Sequence, residues 1–131
     1  MEAIDTNILV RIATRDDMTQ LARVEKLMAE KFSDENPAWV SVIVLTELSW
    51  VLGRTYGYSR TETGAFIRKL LDTASILVED EILVSHALDL FMDSTADFSD
   101  CLILARNESR SISPTHTLDR KAAKLEGFRL L

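Results

Sequence analysis

The chain has 131 residues, enough for a single domain that buries roughly two-thirds of the surface its unfolded form exposes and needs no covalent staples. Fifteen basic and twenty-one acidic residues give a net charge of −6, which excludes a protein that grips nucleic acid through bulk positive charge but not one that carries its positive charge as bound metal. The single cysteine, Cys101, excludes an internal disulfide and a multi-cysteine zinc site. No stretch reaches the ~18 apolar residues of a membrane span, and Met1 to Asp5 show neither a basic start nor an apolar leader. The expectation is a cytoplasmic protein with one domain over residues 1–131.

The apolar run Ala3 to Val10 predicts a strand buried on both faces. Asp16-Asp17 open a helix in which Leu21, Val24, Leu27 and Met28 recur at three- and four-residue steps, and Asn36-Pro37 breaks it. Trp39 to Ser41 reads as a second strand leading into a helix from Val42 to Arg54, and Gly57 ends that segment. Ser59 and Glu62 have capping-box spacing for a helix to Leu71. Ser75 to Val78 is a third strand, and Asp80-Glu81 start a helix with Leu83, Ala87, Leu90 and Phe91 on one face. After the polar stretch Asp93 to Asp97 comes a helix from Phe98 to Asn107, then a strand at Ser111 to Ser113 and a short helix from Asp119 to Leu125. Gly127 stands as its stop, and Phe128 to Leu131 is a last strand. Strands alternating with helices, at spacings too long for hairpins, imply an α/β fold with a mostly parallel central sheet and helices on both faces. In such folds ligands bind beyond the carboxyl ends of the strands.

Several acidic residues stand where an ordinary surface carboxylate does not belong. Asp5 interrupts the first strand, where it is either a helix N-cap or a charge that requires a partner or a metal. Glu47 falls on the stripe of Val44, Leu48 and Val51 in its helix, or at the edge of that stripe reaching solvent. Asp97 and Asp100 are one turn apart at a helix start; capping accounts for Asp97, and less well for Asp100, which is flanked by Cys101, Leu102 and Ile103. Asp119 opens the last helix, as an N-cap or as a ligand. If Asp5, Glu47, Asp100 and Asp119 converge, they need cations. Hard divalent ions with oxygen ligands, such as Mg²⁺ or Mn²⁺, are the ones that assist phosphodiester cleavage.

Asp5-Thr6-Asn7, Ser41 to Glu47, Ala96 to Ile103 and Thr117-Leu118-Asp119, in that order and over essentially the whole chain, resemble the PIN domain, and more narrowly the VapC-type ribonuclease toxins of toxin–antitoxin pairs. The resemblance implies a three-layer α/β/α fold, Mg²⁺- or Mn²⁺-dependent RNA cleavage, homodimerisation and inhibition by a cognate antitoxin in a hetero-oligomer. By position, Asp5 and Asp100 match the family's principal metal ligands, Glu47 its helix glutamate, which contributes to the metal site, and Asp119 its last acidic position, which acts on the metal directly or through water; the resemblance makes all four catalytic. Thr6 and Asn7 match the polar residues that orient the first aspartate. Leu118 departs from the commoner phenylalanine. An RNA substrate, with tRNA among the candidates, would meet phosphate contacts drawn from Arg11, Arg15, Arg54, Arg60, Arg120, Lys121 and Lys124, each of which also reads as a solvated surface charge. Trp50, Val51, Tyr56, Tyr58 and Phe66 offer an antitoxin groove or a dimer patch, or else belong to the core. His86 and His116 lack ligand-like spacing.

Three other classes fit less well. A phospho-receiver needs a Lys after a late strand, and none follows Ser111 to Ser113 before Asp119. A phosphatase using Asp5 as nucleophile usually wants a second Asp two residues on, where Asn7 stands. A PIN-like scaffold without chemistry is hard to reconcile with retention of all four acids.

Overall fold

In the computed structural model, which describes residues 1–131, the extended start of the chain lasts only to Asp5 and its strand pairing is a single bridge, Ala3 parallel to Trp39. The expected strand over Ala3 to Val10 is instead helix α1 (Thr6–Thr14). The cause is Asp5. Its backbone is extended and its side chain accepts the Thr6 N–H, so it caps a helix at the point where the strand was expected to continue. The β-branched run tolerates this because α1 packs on α2 (Met18–Lys31) and α3 (Val42–Trp50), burying Leu9 and Val10.

The chain clusters into two units, Met1–Glu81 and Ile82–Leu131. In the first, Asp17 caps α2 by accepting the Gln20 N–H. Strand β1 (Ala38–Val40) then leads into α3, whose N-cap Ser41 accepts the Val44 N–H. A π-helical segment, Val51–Thr55, continues α3, and a full Ser59–Glu62 capping box opens α4 (Arg60–Leu71). Strand β2 (Ile76–Val78) pairs with β1 in parallel, from Ala38 with Ile76 to Val40 with Val78. With the Ala3 bridge this gives three parallel extended segments, β1 in the middle. Leu9, Leu21, Val40, Leu45, Leu48, Leu52, Ile67 and Val78 are fully buried side chains of this unit.

In the second unit, which takes all of α5 (Glu81–Met92) but its first residue, α5 buries Val84, Ala87, Leu88 and Phe91, and α6 (Phe98–Ser109) buries Phe98, Cys101, Leu102, Leu104 and Ala105. Phe91 and Phe98 meet edge to face at 5.7 Å between ring centres. The strand expected at Ser111 to Ser113 is absent. Ser111 takes a left-handed φ of 59°, and its N–H and that of Ile112 return to the carbonyls of Glu108 and Asn107 to finish α6. The strand β3 comes later, at Thr115–Thr117, and pairs in parallel with β4 (Phe128–Leu130). The helix expected at Asp119 to Leu125 shrinks to a 3₁₀ turn, Ala122–Lys124. Every strand pairing is parallel, as an α/β fold with crossover connections requires. No helix is long and apolar enough to cross a membrane.

Candidate functional site

The second unit gathers three carboxylates. Asp97 occupies the N-cap position of α6 with extended backbone angles (φ −66°, ψ 151°), yet its side chain makes no capping hydrogen bond. Asp100 lies in the first turn of the same helix, three residues on, and therefore on the same side. Asp119 follows β3. Its own N–H donates to Thr117 Oγ1 (3.0 Å), and its Oδ1 accepts the N–H groups of Lys121 (2.8 Å) and Ala122 (3.3 Å), which fixes the carboxylate above the strand end. One oxygen from each of Asp97, Asp100 and Asp119 lies within 4.8 Å of the others. Burial pushes the Asp100 carboxyl above the usual range, and the charges of Asp119 and Asp97 push it further the same way, with no basic group offsetting them.

The donor chemistry fits a hard divalent cation. All three candidate donors are carboxylate oxygens, two of the residues are exposed, and their like charges oppose one another in a way that a cation would relieve. The capping account of Asp97 is thereby corrected: its carboxylate belongs to the cluster. The signal that could have found it is the one-turn spacing to Asp100.

The first unit places Asp5, Thr6 and Glu47 together. The buried Thr6 donates its N–H to Asp5 Oδ1 (2.7 Å) and its hydroxyl to Glu47 Oε2 (3.0 Å), so one residue orients both acids. Asp5 also borders a small cavity of about 280 Å³ with Trp39, Ser41 and Val44, beyond the ends of Ala3 and β1. Asn7 makes no hydrogen bond to Asp5. It lines a groove of about 530 Å³ between α1 and α2 with Arg11, Gln20 and Arg23. Glu47 is not on the buried stripe of its helix. Leu45, Leu48 and Leu52 form that stripe, Val44 and Val51 are half-buried, and Glu47 is exposed. A further acid, Glu79, accepts the Val42 N–H (2.8 Å) and so serves the start of α3.

Of the basic residues singled out from the sequence, Arg11 is held by Asp16, by Gln20 Oε1 (2.6 Å) and by the Tyr56 hydroxyl (3.2 Å), and Arg15 pairs with Glu25 (3.2 Å). Arg120, Lys121 and Lys124 are exposed around Asp119, and Arg54 stacks over Trp50. His86 is exposed on α5, 3.9 Å from Glu108, and His116 is exposed on β3.

Searches of curated proteins and of solved structures find no match. The family model of the PIN domain, a family whose members are generally nucleases, matches residues 3–127 and so takes in both groups of acids. Parallel strands, acids at strand and helix ends and this family match agree, and the chain belongs to the PIN domain family.

Proposed function

We propose that the chain is a divalent-cation-dependent endoribonuclease acting in the cytoplasm, and more narrowly the VapC-type toxin of a toxin–antitoxin pair. The observation that carries the reading is the Asp97–Asp100–Asp119 cluster, with its mutual repulsion and its all-oxygen donor set. Asp100 and Asp119, joined by Asp97, would hold Mg²⁺ or Mn²⁺. Asp5 and Glu47, which match the family's metal-site acids by position, carry the same expectation in the first unit. When bound, the cation supplies an activated water and charge neutralisation for phosphodiester hydrolysis.

The chain's own groups supply orientation. Thr6 fixes one oxygen of Asp5 and one of Glu47, and the backbone N–H groups of Lys121 and Ala122 fix Asp119. Such outer contacts set the direction in which a carboxylate presents its free oxygen. Arg120, Lys121 and Lys124 give this acidic protein a local positive rim next to Asp119, where an RNA backbone needs one.

The test is cleavage of total RNA by the purified, partner-free chain in Mn²⁺ or Mg²⁺ against EDTA, with Asp100→Ala and Asp97→Ala alongside. Discrete fragments that require the metal and disappear in Asp100→Ala are expected. A folded protein that cuts no RNA in either metal overturns the nuclease. Expression in a bacterial host is expected to arrest growth, Asp100→Ala to relieve the arrest, and sizing to show a homodimer. Cleavage without arrest would keep the nuclease and remove the toxin role.

A further inference from the structure

Helix α3 carries a second stripe besides its buried one. Ile43 (74 % exposed), Glu47 and Trp50 (42 % exposed) follow one another at four- and three-residue steps, and the Arg54 guanidinium lies 5.6 Å from the centre of the Trp50 ring. The neighbouring aromatics of this region are already engaged: Tyr56 accepts from Arg11, and the Tyr58 hydroxyl donates to the Ala13 carbonyl (3.0 Å). Trp50 remains 42 % exposed, with Arg54 over its ring. Arg54 differs from Arg11 and Arg15 in pairing with an indole and with no carboxylate. One turn before Trp50 stands Glu47, tied through Thr6 to Asp5.

We infer that Trp50 and Arg54 form a stacking platform for an unpaired RNA base, with Arg54 also meeting the adjoining phosphate. The pair offers the two things a single-stranded nucleotide requires, a flat aromatic or guanidinium surface and a positive charge. In a chain of net charge −6, a cation parked on an aromatic and free of acidic partners is better suited to a polyanion than to an apolar protein helix. Arg54 lies in the π-helical segment, four residues after Trp50 and so beside it on the helix surface; such segments are frequent at functional sites. The inference rests on the RNA-hydrolysis reading and names where that substrate's base is held.

Replacing Trp39 by Phe leaves Trp50 as the one remaining tryptophan of the two in the chain. Titrating that variant in EDTA with a short unstructured oligoribonucleotide is expected to quench its emission saturably. In the otherwise wild-type chain with metal, Trp50→Leu is expected to raise KM for RNA roughly tenfold with kcat retained, and Trp50→Phe to restore most of the loss. Arg54→Ala should weaken binding and flatten its salt dependence. Unchanged emission on adding RNA, or a wild-type KM in Trp50→Leu, overturns the platform. So does emission that shifts with protein concentration and ignores RNA, which would assign Trp50 to contact between copies. Quenching by RNA without any metal-dependent cleavage keeps the platform and removes the nuclease; cleavage without quenching does the reverse.

Discussion

Replacing Asp100 by asparagine is expected to make the metal-free protein more stable while abolishing its response to metal. The cluster oxygens lie within 4.8 Å of one another. At that separation two unit charges repel by about 0.9 kcal/mol in bulk water and by about 3.5 kcal/mol at the effective dielectric of a protein surface. Asp97 and Asp119 are exposed and Asp100 is half-buried, so the lower figure governs most of each pair. Removing the charge of Asp100 relieves two such repulsions, about 2 kcal/mol. Against that stands about 0.3–1 kcal/mol lost because a carboxylate in the first turn favours the helix dipole. A net gain of about 1–2 kcal/mol corresponds, for a chain of this size, to a melting temperature higher by roughly 4–8 °C. The gain has a pH signature. The folded protein holds Asp100 above its ordinary carboxyl range, through burial first and then Asp119 and Asp97, so protonation favours the fold. The wild type therefore carries no penalty below about pH 4 and acquires it as pH rises through the raised folded value. In EDTA the melting gap between variant and wild type is closed in acid and opens toward neutrality, and high salt narrows it. With Mn²⁺ the order reverses, since a ligand at a hundred times its Kd stabilises the wild type by about 2.7 kcal/mol. Thermal melts over pH, with and without Mn²⁺, decide the matter. A variant that melts at or below the wild type in EDTA at pH 7, or that gains as much from Mn²⁺, refutes the reasoning.

At Gly127, where φ is +105°, a Cβ would meet Glu108 Oε1 at 2.6 Å and Leu104 Cδ1 at 2.8 Å. Gly127→Ala is therefore expected to cost about 2 kcal/mol, and an unchanged melting temperature would contradict that. Thr6→Ala removes the hydroxyl donor to Glu47 and is expected to lower RNA cleavage at saturating metal about tenfold or more, with Thr6→Ser retaining activity. Equal loss in both variants would show that the methyl group and not the hydrogen bond matters. Ser59→Ala breaks the capping box of α4 and is expected to cost about 1 kcal/mol by thermal melting. The Ser59 N–H and hydroxyl hold Glu62 below the usual carboxylate range, so its contribution is present above the unfolded pKa and fades as pH falls through the folded one. The melting gap between wild type and Glu62→Gln should accordingly close on acidification below about pH 4, and a gap independent of pH would refute the pairing.

Where the sequence carried a local chemical signal, it could be read closely. Asp17 before α2 and the Ser59–Glu62 spacing before α4 each act through a backbone N–H a few residues away, so the pattern and the geometry are nearly the same thing. The apolar run at Ala3 to Val10 could not be resolved that way, because a buried strand and a buried helix use the same residues. Of the two readings of Glu47, the exposed one holds, and the pattern could not choose between them for a related reason. Val42, Ile43, Val44, Leu45, Leu48, Trp50 and Val51 make α3 apolar almost all round, and periodicity then marks no face; the choice of Leu45, Leu48 and Leu52 is made by tertiary packing. The strand at Ser111 to Ser113 failed on a single left-handed serine that no composition rule marks.

The acids posed a deeper ambiguity, since a carboxylate at an element's edge suits both capping and ligation. The structure shows that these roles divide by oxygen as well as by residue. Asp5 and Asp119 each give Oδ1 to backbone N–H groups, and Asp97 gives neither oxygen to its helix although it stands at the N-cap. Capping needs an acceptor first and gains only about 0.3–1 kcal/mol from the charge, whereas holding a divalent cation needs the charge itself. Asparagine keeps the acceptor and discards the charge, so at Asp5 and Asp119 it separates the two roles where alanine would remove both. At Asp97, which caps nothing with its side chain, asparagine and alanine should be equivalent for the fold.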